Sequence, residues 1–165
     1  MCNNYITFVP MEKMKTLGDG TPISYTINVR GRLIDLGEPL VMGIMNVTPD
    51  SFYANSRVQT AEAIRQRAHQ IVAEGAKIID IGACSTRPGG VVVSAEEEMQ
   101  RLAFALPIVK EAEPDAILSI DTFHADIARR TIEEFGADII NDVEEGKDPE
   151  MFRTVAELGA PYILM

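Results

Sequence analysis

The chain has 165 residues, enough for one domain with a core of its own, and its 46% apolar and 24% charged content is the profile of a soluble globular protein. No apolar run approaches the roughly 18–20 residues that cross a bilayer, which excludes a membrane span. The formal net charge of −10 is unevenly placed: residues 1–93 carry 9 basic and 8 acidic side chains, residues 94–165 carry 6 and 17. That balance repels nucleic-acid phosphates and argues against polynucleotide binding, and the solvated outer faces of helices account for it.

Residues 1–24 show no period and contain Gly18, Gly20 and Pro22, so they read as an N-terminal tail ahead of a domain spanning residues 25–165. The tail has no sustained apolar segment of the secretory kind. Two cysteines, Cys2 and Cys84, make no disulfide framework, and the expected compartment is the cytoplasm. Tyr25–Leu36 alternates on both sides of Arg30-Gly31, the pattern of a small β-hairpin.

From Val41 onward, strand and helix patterns alternate. Val41–Met45 is a short apolar run that turns polar at Asn46, and Thr48-Pro49-Asp50-Ser51 reads as a turn. Thr60–Glu74 has a helical stripe, with Thr60 as N-cap and Gly75 as its stop. Lys77–Ala83 reads as a second strand. Ser94–Glu113 reads as a helix opened by the capping box Ser94-Ala95-Glu96-Glu97, and Pro107 should kink it or end it early. Ala116–Ile120 is a third strand, His124–Phe135 a helix that stops at Gly136, and Asp138–Asn141 a fourth strand. Asp148-Pro149 has the chemistry of N-cap and N1 for a last helix that stops at Gly159, and Pro161–Met165 is a fifth strand. Strict alternation implies α/β class with a parallel sheet. Periodicity does not choose between an open doubly wound sheet and part of a (β/α)8 barrel.

Asn46, Asp80, Asp121 and the pair Asn141-Asp142 each lie within or just after an apolar strand, toward its C-terminal end. In both architectures that edge is the functional one, so a shared pocket is expected there. Asp80 is the weakest member, because it also suits a satisfied buried acid between sheet and helices. The loop Ser85–Gly90 combines hydroxyls, Arg87 and glycines, which suits an anion. It is not a P-loop, and no GxGxxG fingerprint is present. His69 and His124 lack metal-ligand spacing and read as structural or surface residues.

Four segments carry a resemblance: Met42–Phe52 (MGIMNVTPDSF), Glu74–Gly89 (EGAKIIDIGACSTRPG), Leu118–Thr122 (LSIDT) and Ile139–Val143 (IINDV). In order and spacing the chain resembles the dihydropteroate synthase family of folate biosynthesis, from about Ile27 to Met165. The resemblance implies a partial (β/α)8 TIM barrel, about its first five strands, with an N-terminal β-hairpin. It implies a transferase that condenses 4-aminobenzoate with 6-hydroxymethyl-7,8-dihydropterin diphosphate, giving 7,8-dihydropteroate and diphosphate, with sulfonamides as competitors and a homodimer at full length. By the same resemblance, Asn46 would hold Mg²⁺ with the diphosphate. Asp121 and Asn141 would hydrogen-bond the pterin ring, Ser85, Thr86 and Arg87 would lie on the second loop near the diphosphate, and Phe52 and Pro88 would wall the aminobenzoate pocket.

Three departures stand out. Where the family usually continues its first loop as Ser-Asp-Gly-Gly, this chain has Tyr53-Ala54-Asn55-Ser56, and it has Ala83-Cys84 where the family usually has Gly-Glu. The family's barrel also has eight strands, so its later pterin- and diphosphate-binding residues have no counterpart here. Two other readings therefore stand beside an enzyme or a fragment of one: a non-catalytic pterin-binding half barrel, and a pterin-dependent methyltransferase acting with a corrinoid protein. The Ser-Thr-Arg-Pro-Gly loop favours the synthase over the latter.

Overall fold

A computed structural model describes residues 5–7, 25–48, 57–84 and 93–165. Five parallel strands follow one another in chain order: β4 (Val41–Asn46), β5 (Ile78–Gly82), β6 (Ile117–Asp121), β7 (Ile139–Asp142) and β8 (Tyr162–Leu164). A three-residue strand β1 (Tyr5–Thr7) pairs antiparallel with β4, and β2 (Thr26–Val29) and β3 (Arg32–Asp35) form a separate hairpin. Four helices alternate with the parallel strands: α1 (Arg57–Ala73), α2 (Ala95–Ala112), α3 (Ala125–Phe135) and α4 (Met151–Leu158).

The side-chain period of two divides the strands into two faces. Met45, Ile79, Ile81, Leu118, Ile120 and Ile140 join the main core, which also takes Ile71 from α1, Leu102 and Leu106 from α2, Ile127 from α3 and Met151 from α4. All four helices therefore cover one face. A doubly wound sheet puts helices on both faces and reverses strand order at a switch point. Neither feature is present among the described residues, so the sheet is an arc of a barrel, five consecutive strands and not closed. Gly43 shows how closely the helical layer approaches, since a Cβ there would collide with Cγ2 of Ile71.

The opposite, inner face carries a smaller cluster of Met42, Ile78 and Ile139, joined by Ile117, Ile163 and Ile27 of the hairpin. The hairpin thus stoppers the N-terminal end of the inner face. Its turn places Arg30 and Gly31 at φ 49° and 79°, the left-handed pair that a two-residue hairpin loop requires. The Arg30 guanidinium then reaches Asp138 at 2.7 Å and tethers the hairpin to the base of β7.

Several local expectations shift. Tyr5–Thr7, inside the stretch read as a tail, supplies a strand because β4 would otherwise present an unpaired edge. Helix α1 begins at Arg57, so Thr60 sits inside it and is not its N-cap. Pro107 does not end α2 early, since the helix runs on to Ala112; Pro107 is exposed, where water can take the carbonyl its missing N–H leaves open. Ser94 caps α2 as expected, accepting from the Glu97 N–H at 3.3 Å, but the Glu97 carboxylate goes to Arg101 at 2.5 Å and does not close the box.

Helix α4 starts at Met151, two residues beyond the expected N1 at Pro149. Glu150 is the N-cap, and Asp148 fixes the turn before it: one carboxylate oxygen accepts from the Glu150 N–H at 3.0 Å and the other from the N–H of Ala125, the first residue of α3, at 2.9 Å. One side chain thus ties the start of α3 to the turn before α4, and the Ala125 and Glu150 N–H bonds hold its pKa below the ordinary carboxylate value. Gly136 and Gly159 end α3 and α4 in left-handed conformation, as the sequence indicates.

Candidate functional site

Strand register builds the site. Asn46 is paired with Gly82, Gly82 with Asp121, and Asp121 with Asn141, so these residues form one row across four strands at the C-terminal edge. Ile163 of β8 continues the row. All five point to the inner face, because they share the parity of Met42, Ile78 and Ile139. The row beneath reads Ile44, Asp80, Ser119, Ile139, and the next Met42, Ile78, Ile117. Moving along the strands, the inner face passes from an apolar floor to a polar rim.

Gly82 is the gap in the rim. A Cβ there would lie 3.0 Å from Oδ2 of Asp121 and 3.3 Å from Oδ1 of Asn46. Without it, the side chains from two strands lean over the strand between them. The structure therefore brings Asn46, Asp121 and Asn141 together on one surface. Phe52, Ser85, Thr86, Arg87 and Pro88 lie outside the described residues. What leads into their loop is fixed from behind: the Arg101 guanidinium donates to the Ala83 carbonyl at 2.9 Å.

Asp80 is not wedged between sheet and helices. It lies on the inner face one row below the rim, 2% exposed, and accepts from Ser119 Oγ at 2.6 Å and from Asn141 Nδ2 at 3.0 Å. Burial raises its pKa, against the pull of those two hydrogen bonds. Asp121 is pushed up to about 7, first by burial, then by the negative charges of Asp80, Glu98 and Asp142. The rim acid can thus change charge near neutrality, which acids in functional clefts do more often than surface acids.

Glu98 is the residue that the sequence reading missed. Its carboxylate is fully enclosed with neither oxygen in a hydrogen bond of good geometry, Thr122 lies beside it, and the His124 imidazole is 3.9 Å away. Burial raises its pKa. A signal was available: Glu98 precedes buried Met99 and stands four residues before buried Leu102, which turns it inward with the apolar stripe. His124 therefore sits against the buried Glu98 carboxylate, while His69 pairs with Glu113 at 2.6 Å on the exposed helical surface.

A sequence profile described as pterin binding enzyme matches residues 42–165. The chain belongs to the pterin-binding enzyme family. It is 44% identical over 136 residues to dihydropteroate synthase of Streptococcus pyogenes, which covers 82% of this chain and 50% of that protein. Among solved structures, Xanthomonas albilineans dihydropteroate synthase with 4-aminobenzoic acid superposes with a TM-score of 0.74 at 38% identity, over 87% of this chain and 52% of that one. Yersinia pestis dihydropteroate synthase with a sulfonamide drug complex gives 0.67 at 37% identity, over 84% and 50%. The chain thus spans about half the length of the curated relatives it matches, and the half it spans is the first part of a barrel of the dihydropteroate synthase kind. No described helix is long and apolar enough to cross a membrane.

Proposed function

We propose that this chain supplies the pterin-binding half of a dihydropteroate synthase. The observation that carries the reading is the polar row Asn46, Gly82, Asp121, Asn141 at the C-terminal edge of a barrel arc. A pterin ring edge is a sequence of N–H donors and ring acceptors. A carboxylate and an amide on adjacent strands, roughly 4.8 Å apart, match that pattern. Held there, the ring has its methylene carbon directed along the rim toward Asn46.

The reaction we propose forms the bond between the aniline nitrogen of 4-aminobenzoate and that methylene carbon as the carbon–oxygen bond to diphosphate breaks. The bonding pair leaves with the diphosphate, and the nitrogen sheds a proton. The aniline is a fair nucleophile, so positioning contributes more than activation. Departure of the diphosphate needs its charge matched, and Ser85, Thr86 and Arg87 have the donors for that. Phe52 and Pro88 would flank the aminobenzoate, where a sulfonamide competes.

For Mg²⁺, the described residues contain no cluster of three acidic, histidine or cysteine groups. A lone Asn46 carbonyl leaning over the rim still fits this ion, which keeps few protein ligands and takes the rest from phosphate oxygens and water. When bound, the ion would neutralise charge on the leaving group.

The isolated 165 residues are expected to lack appreciable turnover, because one preorganised charge contact alone is worth about 10²–10³ in rate and an arc of five strands leaves much of the pocket wall unbuilt. The test is twofold: pterin binding by fluorescence quenching, and pteroate formation from aminobenzoate and the pterin diphosphate. Saturable pterin binding that is abolished in Asp121→Ala supports the reading. A chain that binds no pterin refutes it, and turnover equal to that of a full-length barrel refutes the assignment as a half.

A further inference from the structure

Asn141 is 1% exposed, yet among the described residues only one end of its amide is satisfied: Nδ2 donates to Oδ2 of Asp80 at 3.0 Å, whereas Oδ1 is buried and accepts from none of them. An amide can sit either way round, and the choice decides whether a ligand meets an acceptor or a donor. Asp80 removes the choice. Its other oxygen, Oδ1, already accepts from Ser119 Oγ at 2.6 Å, and both bonds lie beneath the rim, inside the inner face. With both carboxylate oxygens accepting, Asp80 meets the N–H end of Asn141. Leaving the carbonyl end without a partner is costly, and a ligand N–H recovers that cost.

We propose that Asp80 is a positioning residue that locks the Asn141 amide with its carbonyl oxygen presented to the ligand, so that the site selects a ring edge bearing N–H groups over the same ring bearing a carbonyl there. This rests on the pterin reading above for the identity of the ring, but not for the orientation of the amide. Asp80 never touches the ligand; it acts through Asn141, with Ser119 holding its second oxygen. The span in sequence is wide, 61 residues between Asp80 and Asn141 and 39 between Asp80 and Ser119, so the lock exists only once the strands are in register. Asp121, adjacent in the row, offers carboxylate oxygens, so two neighbouring positions would both seek donors, the pattern of an amino-substituted pyrimidine ring.

The experiment uses the 165-residue chain with ¹⁵N-labelled asparagine side chains and follows amide proton exchange by NMR. One Nδ2 proton of Asn141 is expected to exchange about tenfold or more slowly than those of exposed Asn28, the scale of one buried hydrogen bond. In Asp80→Leu that protection is lost. The exchanged pair Asp80→Asn with Asn141→Asp keeps every bond, because the introduced amide accepts from Ser119 and donates to the introduced carboxylate. It therefore keeps an acceptor toward the ligand. Binding of 6-hydroxymethylpterin is compared with its analogue in which the exocyclic amine is a carbonyl. The unaltered chain and the exchanged pair prefer the pterin by about tenfold or more, the size of one satisfied buried group, and Asp80→Leu does not.

Fast exchange at Asn141 in the unaltered chain overturns the proposal. So does retained protection in an Asp80→Leu chain that still melts cooperatively. If Asp80→Leu fails to fold, the exchanged pair decides, since equal affinity for the two rings in that folded variant also overturns it. A chain that binds neither ring removes the pterin reading, and the exchange rates then decide the amide orientation by themselves.

Discussion

The two faces of the sheet are made by the same strands and differ in every residue. The outer face is continuous with the helices and wholly apolar from end to end in β5, with Ile79 and Ile81 fully buried. The inner face, taken by the alternate residues Ile78, Asp80 and Gly82, passes from an apolar floor through a buried acid to the gap in the rim. Stability is concentrated on the first and ligand chemistry on the second, and the pleat keeps the two apart. A change on one face can therefore be read without much interference from the other, provided it respects the strand itself.

The largest effect is expected from breaking the outer face. Ile81→Ala removes a fully buried side chain from the helix interface and should destabilise the chain by about 2–5 kcal/mol in urea melts. A loss below that range would show that the helical layer can collapse onto the vacancy.

Next comes the rim acid. Asp121→Asn should weaken pterin affinity by roughly 1–3 kcal/mol, measured by titration, since it exchanges an acceptor for a donor facing ring N–H groups. The same substitution sharpens the comparison through pH. The folded pKa of Asp121 is about 7, above its ordinary 3.8. The folded state therefore holds a proton that the unfolded state has released between those values. The stabilising contribution is complete below about 4 and is lost as pH rises through about 7. The melting temperature of the unaltered chain should fall from pH 5 to pH 8. Asp121→Asn should fall less steeply; burial raises the pKa values of Asp80 and Glu98 in the same direction. Ring N–H donors favour the ionised acid, so pterin affinity should climb over that interval.

Gly82→Ala tests the gap in the rim. The added Cβ meets the Asp121 carboxylate at 3.0 Å and displaces it, so pterin affinity should drop by about 1 kcal/mol while the urea midpoint moves less. A midpoint shift as large as that of Ile81→Ala would mean that the rim is a structural layer and not a binding one. The smallest effect belongs to the outermost surface. Arg153 bridges Glu150 and Glu157 while 71% exposed, and Arg153→Ala should change stability by about 0.5 kcal/mol or less.

Much of this was legible in the sequence because it is local. A hydrophobic period of two or 3.6 is set within a few residues, and so are the Gly136 and Gly159 stops and the Arg30-Gly31 turn. The position of Asn46, Asp121 and Asn141 near strand ends could be read one strand at a time. Pro107 does not end α2 because a proline's effect on a helix depends on whether water can reach the carbonyl it strands, and its exposure is a property of the fold. Glu98 misled because an acid in an acidic first turn reads as solvated, whereas its burial depends on Thr122 and His124 from another loop.

What the sequence determined by itself is the alternation of strand and helix, the four motif segments, and through them the family and the barrel topology. Those rest on backbone preference and side-chain pattern over short stretches. Only the tertiary structure decided which residues share a row, that Asp80 faces inward beneath Asn141, that the Asp148 carboxylate ties the start of α3 to the turn before α4, and that Asp121 titrates near 7. These are set mainly by register and desolvation between groups distant in sequence, and no local pattern encodes the distance between two strands that have not yet met.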